Sequence, residues 1–356
     1  MYPALAVLQA MEDRCSQVLW VGGEGGMEAE LIKRLNLPFE EIPAAGVHGI
    51  GLRSLPGNIY KLIKGTIKSI RILKRFQPDV IFYTGGYVAA PMAVAGFRYQ
   101  SVLFVPDIEP GFALNFLSKF SQTIALTTEN TKKFFSKHKK LIVTGYPLRQ
   151  EIKRCSKSEA YKAFNLHAQL PVLLVYGGSK GAHSINQVIF DNLAGLLSKT
   201  QIIHISGNLD ISLGQSIAQS LPENLSKNYH LHPYLHEEMS AAFSSADLCI
   251  CRSGASTLGE LPFYGLPAVL IPYPYAWRYQ KTNAQYLVDH NAAILIPDEK
   301  IDSQLISTLL DLLAEPEKLT KMSIAMEALS KPDAASQIAD LIVNQIRQPN
   351  RKGSQP

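Results

Sequence analysis

At 356 residues the chain exceeds one ordinary hydrophobic core and suits two α/β domains of roughly 150 residues each. With 46% hydrophobic and 18% charged residues it can bury large cores, yet no window approaches the roughly 20 uninterrupted apolar residues of a membrane span, and no secretory pattern opens the chain, so a cytoplasmic, soluble or peripheral protein is expected. The net charge of +5 is uneven: residues 51–150 carry fifteen Lys/Arg against four Asp/Glu, +11, which leaves −6 for the rest. With no zinc spacing, helix-turn-helix signal or aromatic-studded basic strand beside it, this basic region argues for an anionic bilayer and against nucleic acid.

In chain order, short apolar runs alternate with segments of helical period. The runs are Val18–Val21, Val80–Tyr83, Val102–Val105, Ile142–Gly145, Val172–Tyr176, Ile202–Ile205, Leu248–Cys251 and Ala268–Ile271. Each ends within two residues of a Gly, Ser, Pro or Asp, and the alternation predicts parallel sheets covered by helices on both faces, with ligands at the carboxyl ends of the strands. Two Rossmann-like domains facing across a cleft are expected: an N-terminal one over 1–150 and a C-terminal one over 160–330. The polar stretch Arg149–Glu159 connects them, and the tail 348–356 reads as disordered.

Between the first two runs, Asn58–Phe76 places Ile59, Leu62, Ile63, Ile67, Ile70 and Leu73 at three- and four-residue spacing, with Lys61, Lys64, Lys68, Arg71 and Arg75 on another face. This predicts a basic amphipathic helix, which serves either to cover a sheet or to lie on a membrane.

Three glycine turns follow apolar runs. Tyr83-Thr-Gly-Gly-Tyr-Val88 lies in the first domain, and Gly177-Gly-Ser-Lys-Gly-Ala182 and Cys251-Arg-Ser-Gly-Ala-Ser-Thr257 lie in the second. A glycine loop opening a helix lets backbone N–H groups approach a diphosphate, although such a loop also serves simply as a tight turn. Neither spacing in the second domain is a dinucleotide fingerprint or a Walker loop. Glu260 lies one turn into the helix after Thr257, where it either complements the positive helix end or accepts from a ribose diol. No Asp-x-Asp pair offers a divalent ion to a nucleotide diphosphate, and no metal or cofactor is expected. Cys249 and Cys251 read as buried apolar residues, and His230, His232 and His236 as scattered rather than a metal site.

In combination, several short motifs resemble the MurG-type N-acetylglucosaminyltransferases of the GT-B fold, which make lipid II in bacterial cell-wall synthesis. They are Met27-Glu-Ala-Glu-Leu31, Gly51-Leu-Arg53, Thr84-Gly-Gly-Tyr-Val88, Gly145-Tyr-Pro-Leu-Arg149, Gly177-Gly-Ser-Lys-Gly-Ala182, Cys251-Arg-Ser-Gly-Ala255 with Glu260, Gly265-Leu-Pro267, Gln280 with Asn283, and Pro332-Asp-Ala334. The resemblance runs from Tyr2 to about Ile346. It implies an inverting transfer of N-acetylglucosamine from UDP-N-acetylglucosamine to an undecaprenyl-diphosphate-linked muramoyl pentapeptide, at the cytoplasmic face of the membrane. It further implies that Arg149, Tyr234, Leu235 and Met239 surround the uracil, that Glu260 binds the ribose, and that Ser179, Ser256 and Thr257 meet the diphosphate. Gln280 and Asn283 would read the sugar, and Gly85, Gly86 and Tyr87 would receive the polyprenyl-linked acceptor. The last helix, about 335–347, is expected to return to the first domain.

Three departures from the family pattern accompany the resemblance. The family opens with a strand and a glycine-rich loop bearing a His, whereas this sequence opens at Met1-Tyr-Pro3. A shortened start is therefore expected, with two unpaired strand edges in the first domain. A His-Glu-Gln-Asn run is replaced by Val105-Pro-Asp-Ile-Glu-Pro110, so Asp107, Glu109 and His48 are the candidates for the base. Paired glutamines become Tyr279-Gln280, which removes one amide from the sugar site. A transferase acting on another lipid, or a UDP-sugar-binding protein without catalysis, are the alternatives.

Overall fold

A computed structural model describes residues 1–26, 28–46, 55–177, 182–275 and 279–346. The chain divides into two compact units, one formed by Met1–Arg149 with Asp333–Pro356 and the other by Gln150–Pro332. Among the expected site residues, His48 and Ser179 lie outside the described residues, as do the tail and parts of the Met27–Leu31, Gly51–Arg53 and Gly177–Ala182 motifs.

The first unit holds β1 (Trp20–Gly23), β2 (Phe39–Ile42), β3 (Val80–Tyr83), β4 (Gln100–Val105), β5 (Thr123–Leu126) and β6 (Lys140–Val143). They form two separate parallel sheets, β1-β2 and β3-β4-β5-β6. β1 and β3 each pair on one side only among the described residues, so each keeps an edge without a strand beside it. Leu103, Val105, Ile124 and Leu126, all fully buried, centre the core of this unit with Ile42, Tyr83 and Leu117. The final helix, Ala334–Ile346, packs on the first helix, Tyr2–Met11, and on β3 and β4. Buried Gln345 ties it to the sheet, donating from Nε2 to Thr123 Oγ1 at 2.5 Å.

The basic segment forms the helix Leu55–Phe76. Its inner face is Gly65, Ser69, Ile72 and Leu73, at helical spacing. Gly65 sits where the helix comes closest to its neighbours: a Cβ there would lie 2.1 Å from the Pro43 carbonyl oxygen and 3.2 Å from Pro91. The apolar stripe expected from the sequence is therefore divided. Leu73 is buried, whereas Ile59, Ile63, Ile67 and Ile70 are 44%, 56%, 49% and 40% exposed, with Tyr60 at 67%.

The second unit holds β7 (Val172–Tyr176), β8 (Gln201–Ile205), β9 (Tyr229–His232), β10 (Leu248–Cys251), β11 (Ala268–Leu270) and β12 (Ala293–Leu295) in one parallel sheet of order β12-β11-β10-β7-β8-β9. β7, β8 and β10 are buried throughout, as continuous apolar strands covered on both faces must be. The free cysteines Cys249 and Cys251 are fully buried in β10. β2, β5, β9 and β12 escape the sequence pattern for physical reasons. Phe39-Glu-Glu-Ile42 and Tyr229-His-Leu-His232 lie at sheet edges and carry polar residues, Thr123–Leu126 mixes Thr and Ala into a four-residue run, and Ala293–Leu295 is only three residues long. Among the described residues no helix is long and apolar enough to cross a membrane, and no group of three His, Cys, Asp or Glu is arranged to hold a metal ion.

Candidate active site

From β7 the chain moves outward to β8 and β9, then crosses back to β10 and proceeds the other way to β11 and β12. The order therefore reverses between β7 and β10, and at such a switch point the two following loops diverge and open a crevice at the carboxyl edge. Cys251 is in register with Tyr176, so the glycine turns after both strands start at the same height. The strand ends that precede the sequence-predicted loops at 177–182 and 252–256 are thus adjacent, and the helices His183–Asp191 and Thr257–Tyr264 follow; residues 178–181 themselves lie outside the described residues.

The second turn is held rigidly. Thr257 is buried and its hydroxyl donates to the Gly254 carbonyl at 2.6 Å, while the Glu260 amide donates to the Ser256 carbonyl at 2.8 Å. This leaves Ser256 at the helix start and Glu260, half-buried, in the first turn. Tyr176, at the end of β7, packs edge-on against Phe243, and burial, followed by the neighbouring Cys251, Cys249 and Glu260, pushes its pKa well above that of an ordinary phenol.

Arg252, quoted in the sequence motif but given no role there, proves to be the organiser of the crevice. Its side chain is 11% exposed, and its guanidinium donates to Asp298 Oδ1 at 2.5 Å, to the Ile271 carbonyl at 3.2 Å and to Ser184 Oγ at 2.8 Å. Ser184 in turn donates to Asp298 Oδ1 at 2.9 Å. One cation thereby fastens the turn after β10 to the helix after β7 and to the segment after β12. Its carbon Cζ also lies 5.4 Å from the centre of the Tyr273 ring.

Gln280 and Asn283, on the helix Tyr279–Asp289, meet the same turn from the other side. The Ser253 hydroxyl donates to the Gln280 carbonyl at 2.8 Å, and Gln280 Oε1 accepts from the Tyr273 amide at 2.8 Å. Asn283 is fully buried and donates from Nδ2 to the Ser253 carbonyl at 3.2 Å. It stands under the glycine turn, where the resemblance has it reading sugar hydroxyls. Tyr234 and Leu235 follow β9, Tyr234 exposed with its ring 4.6 Å from that of His236 and Leu235 buried; Met239 opens the next helix.

In the first unit, Gly85 and Gly86 follow β3 with φ of 102° and 83°, a backbone that only glycine adopts without strain. They turn the chain so that Tyr87 is exposed. Asp107 and Glu109 follow the adjacent strand β4, half-buried on either side of buried Ile108. Thr127 donates to the Pro106 carbonyl at 2.9 Å and Asn115 to the Pro110 carbonyl at 3.1 Å, pinning both ends of that segment. The turn Gly85–Tyr87 and the two candidate carboxylates therefore share one carboxyl edge. Arg149 is the last residue of this unit, and its guanidinium carbon lies 4.4 Å over the Tyr2 ring.

Comparison with known proteins adds an independent line. Residues 1–126 match the glycosyltransferase family 28 N-terminal domain and residues 172–338 match the glycosyltransferase family 28 C-terminal domain. The chain is similar to the UDP-N-acetylglucosamine--N-acetylmuramyl-(pentapeptide) pyrophosphoryl-undecaprenol N-acetylglucosamine transferases of Desulforamulus reducens, at 34% identity over 95% of this chain and 93% of the relative, and of Roseiflexus sp., at 36% over 96% and 91%. The crystal structure of Acinetobacter baumannii MurG superposes with a TM-score of 0.78 at 28% identity, covering 96% of this chain and 95% of that one. On the fold, the β7/β10 switch point and these full-length similarities together, the chain belongs to glycosyltransferase family 28, the MurG-type enzymes of the GT-B fold.

Proposed function

We propose that this chain transfers N-acetylglucosamine from UDP-N-acetylglucosamine to a muramoyl pentapeptide carried on undecaprenyl diphosphate, at the cytoplasmic face of the membrane, forming the lipid-linked disaccharide of peptidoglycan synthesis. The observation that carries this reading is the β7/β10 switch point, with the turn at 252–256 after β10 and Glu260 one turn inside the helix that follows it. The relatives are named for this reaction.

In this reading the C-terminal unit holds the donor. Glu260 accepts from the ribose diol, Ser179, Ser256 and Thr257 meet the diphosphate with the helix N-termini, and Tyr234, Leu235 and Met239 serve the uracil, to which the family resemblance adds Arg149 of the first unit. Gln280 reads the sugar, and Asn283 acts through the turn it supports. The acceptor docks at Gly85, Gly86 and Tyr87, with Asp107 or Glu109 as base for its hydroxyl; His48 is the third candidate. Attack on the anomeric carbon breaks its bond to the β-phosphate oxygen, whose electron pair stays with UDP, and the configuration inverts in one displacement.

Membrane attachment rests on the helix Leu55–Phe76. Four partly exposed isoleucines on the outward side of one helix, interleaved with exposed Lys61, Lys64 and Arg71, fit the headgroup boundary of an anionic bilayer. Replacing Ile63 and Ile67 together by Ser is expected to lower partitioning onto phosphatidylglycerol vesicles by at least about tenfold with folding unchanged, as flotation would measure. Equal flotation would remove this face from the membrane contact.

The test of the activity is transfer of radiolabel from UDP-N-acetylglucosamine to lipid-linked muramoyl pentapeptide. Label in the lipid fraction supports the reading. Label only when a diacylglycerol or other lipid replaces that acceptor supports the second reading, which the unusual segment Pro106–Pro110 favours. Nucleotide binding without transfer to any lipid would leave a binding protein.

A further inference from the structure

Between the helix His183–Asp191 and the strands β8 and β9 of the C-terminal unit runs a chain of five polar side chains whose hydrogen-bond directions are all determined. Asn186 donates from Nδ2 to the Ser206 carbonyl at 2.8 Å and to Asp210 Oδ2 at 2.7 Å. A carbonyl can only accept, which orients the Asn186 amide and makes its Oδ1 the acceptor from His204 Nε2, 3.0 Å away. His204 is completely buried, and burial pushes its pKa down to about 3, so the ring is neutral with one N–H. With that hydrogen on Nε2, Nδ1 accepts from the Tyr229 hydroxyl at 2.9 Å.

At the other end, Asp210, 7% exposed, lies with Oδ1 2.8 Å from His183 Nδ1. The carboxylate accepts, so Nδ1 carries a hydrogen and Nε2 is the ring nitrogen left for a ligand. The His183 side chain is 73% exposed. An exposed ring contributes little to the core, yet four inward side chains fix its orientation. His183 is also the first residue of the helix that opens directly after Gly177–Ala182.

We propose that His183 is a ligand of the donor's diphosphate through Nε2, and that Asp210, backed by Asn186, His204 and Tyr229, is the positioning residue that presents it. The proposal rests on the reading that the loop after β7 receives a nucleoside-diphosphate sugar. The ring then stands between two anions, with Nδ1 toward Asp210 and Nε2 toward the diphosphate. When the bond from the anomeric carbon to the β-phosphate oxygen breaks, its electron pair stays on that oxygen and the Nε2 hydrogen bond meets the new charge; the acceptor's proton goes to the base, and His183 transfers none.

Calorimetric titration of the whole chain with UDP-N-acetylglucosamine, and with uridine by competition, tests this. His183→Gln is expected to bind the UDP-sugar about tenfold more weakly with uridine affinity unchanged. Asp210→Asn presents its carbonyl to Asn186 and its amide to His183 Nδ1, which keeps the ring in place but removes the carboxylate behind it, so a smaller loss is expected, again confined to the UDP-sugar. Unchanged affinity of His183→Gln for the UDP-sugar, or equal losses for both ligands, overturns the proposal while leaving the loop reading standing. A native protein that binds uridine as tightly as the UDP-sugar overturns the loop reading, and the proposal with it.

Discussion

Arg252 Nη2 donates to Ser184 Oγ at 2.8 Å, joining the turn after β10 to the first turn of the helix after β7 across 68 residues of sequence. The same guanidinium holds Asp298 and the Ile271 carbonyl, so three loops of the C-terminal unit depend on one planar fork. Arg252→Lys keeps the charge and loses the fork. Nucleotide affinity is expected to fall at least about tenfold and stability by roughly 1–3 kcal/mol, since Asp298 and Ser184 lose partners in a half-buried setting. Nucleotide titration and thermal unfolding check the two effects separately, and an unaltered affinity would confine Arg252 to stability.

Glu260 distinguishes a helix-end carboxylate from a ribose ligand. Glu260→Ala is expected to weaken UDP binding by about 1–3 kcal/mol, because the ribose diol loses its acceptor. A 2′,3′-dideoxy analogue of UDP should bind native protein and variant alike. Equal losses for both nucleotides would mean that Glu260 serves the helix alone.

Gly65 tests how closely the helix Leu55–Phe76 is seated. In an exposed helix Gly→Ala stabilises by up to about 1 kcal/mol, but here the added Cβ would meet a backbone carbonyl at 2.1 Å, which no rotamer relieves. Overpacking wins, and Gly65→Ala should destabilise the N-terminal unit by roughly 1–3 kcal/mol. A melting temperature at or above that of the native protein would show that the helix can shift outward at no cost.

His204 makes the stability of the C-terminal unit pH-dependent. Its folded pKa lies near 3, below the usual value of 6.5, because burial disfavours the charged ring. The unfolded chain therefore binds the extra proton first, and stability falls as pH drops below about 6.5, by up to about 1.4 kcal/mol per unit until about pH 3. His204→Gln, which can bond both Asn186 and Tyr229, should lose about 2 kcal/mol less than the native protein between about pH 7 and about pH 5 in urea unfolding. Parallel losses in both proteins would assign the acid sensitivity elsewhere.

Much of the fold was legible in the sequence because its signals are local. Val80–Tyr83, Val172–Tyr176 and Leu248–Cys251 are strands over the residues expected, since buried parallel strands are continuous apolar runs. The glycine turns that follow them were equally plain. Edge strands such as Phe39–Ile42 were not, because Glu or His residues interrupt their short apolar runs.

The candidate site was legible as residue types and not as geometry. Arg252 and Asn283 stood in recognisable motifs, yet that one clamps three loops and the other lies buried beneath a turn follows only from where the strands were placed.

By itself the sequence determined the parallel α/β class, the glycine turns and the amphipathic period of the helix Leu55–Phe76, since each depends on residues a few positions apart. Only the tertiary structure decided that the strand order reverses between β7 and β10, that four isoleucines face outward while Leu73 is buried, and that Tyr229, His204, Asn186 and Asp210 stand in line behind His183. The side-chain contacts behind His183 join residues 18 to 27 positions apart, and their directions follow from the Ser206 carbonyl and the Asp210 carboxylate, which can only accept.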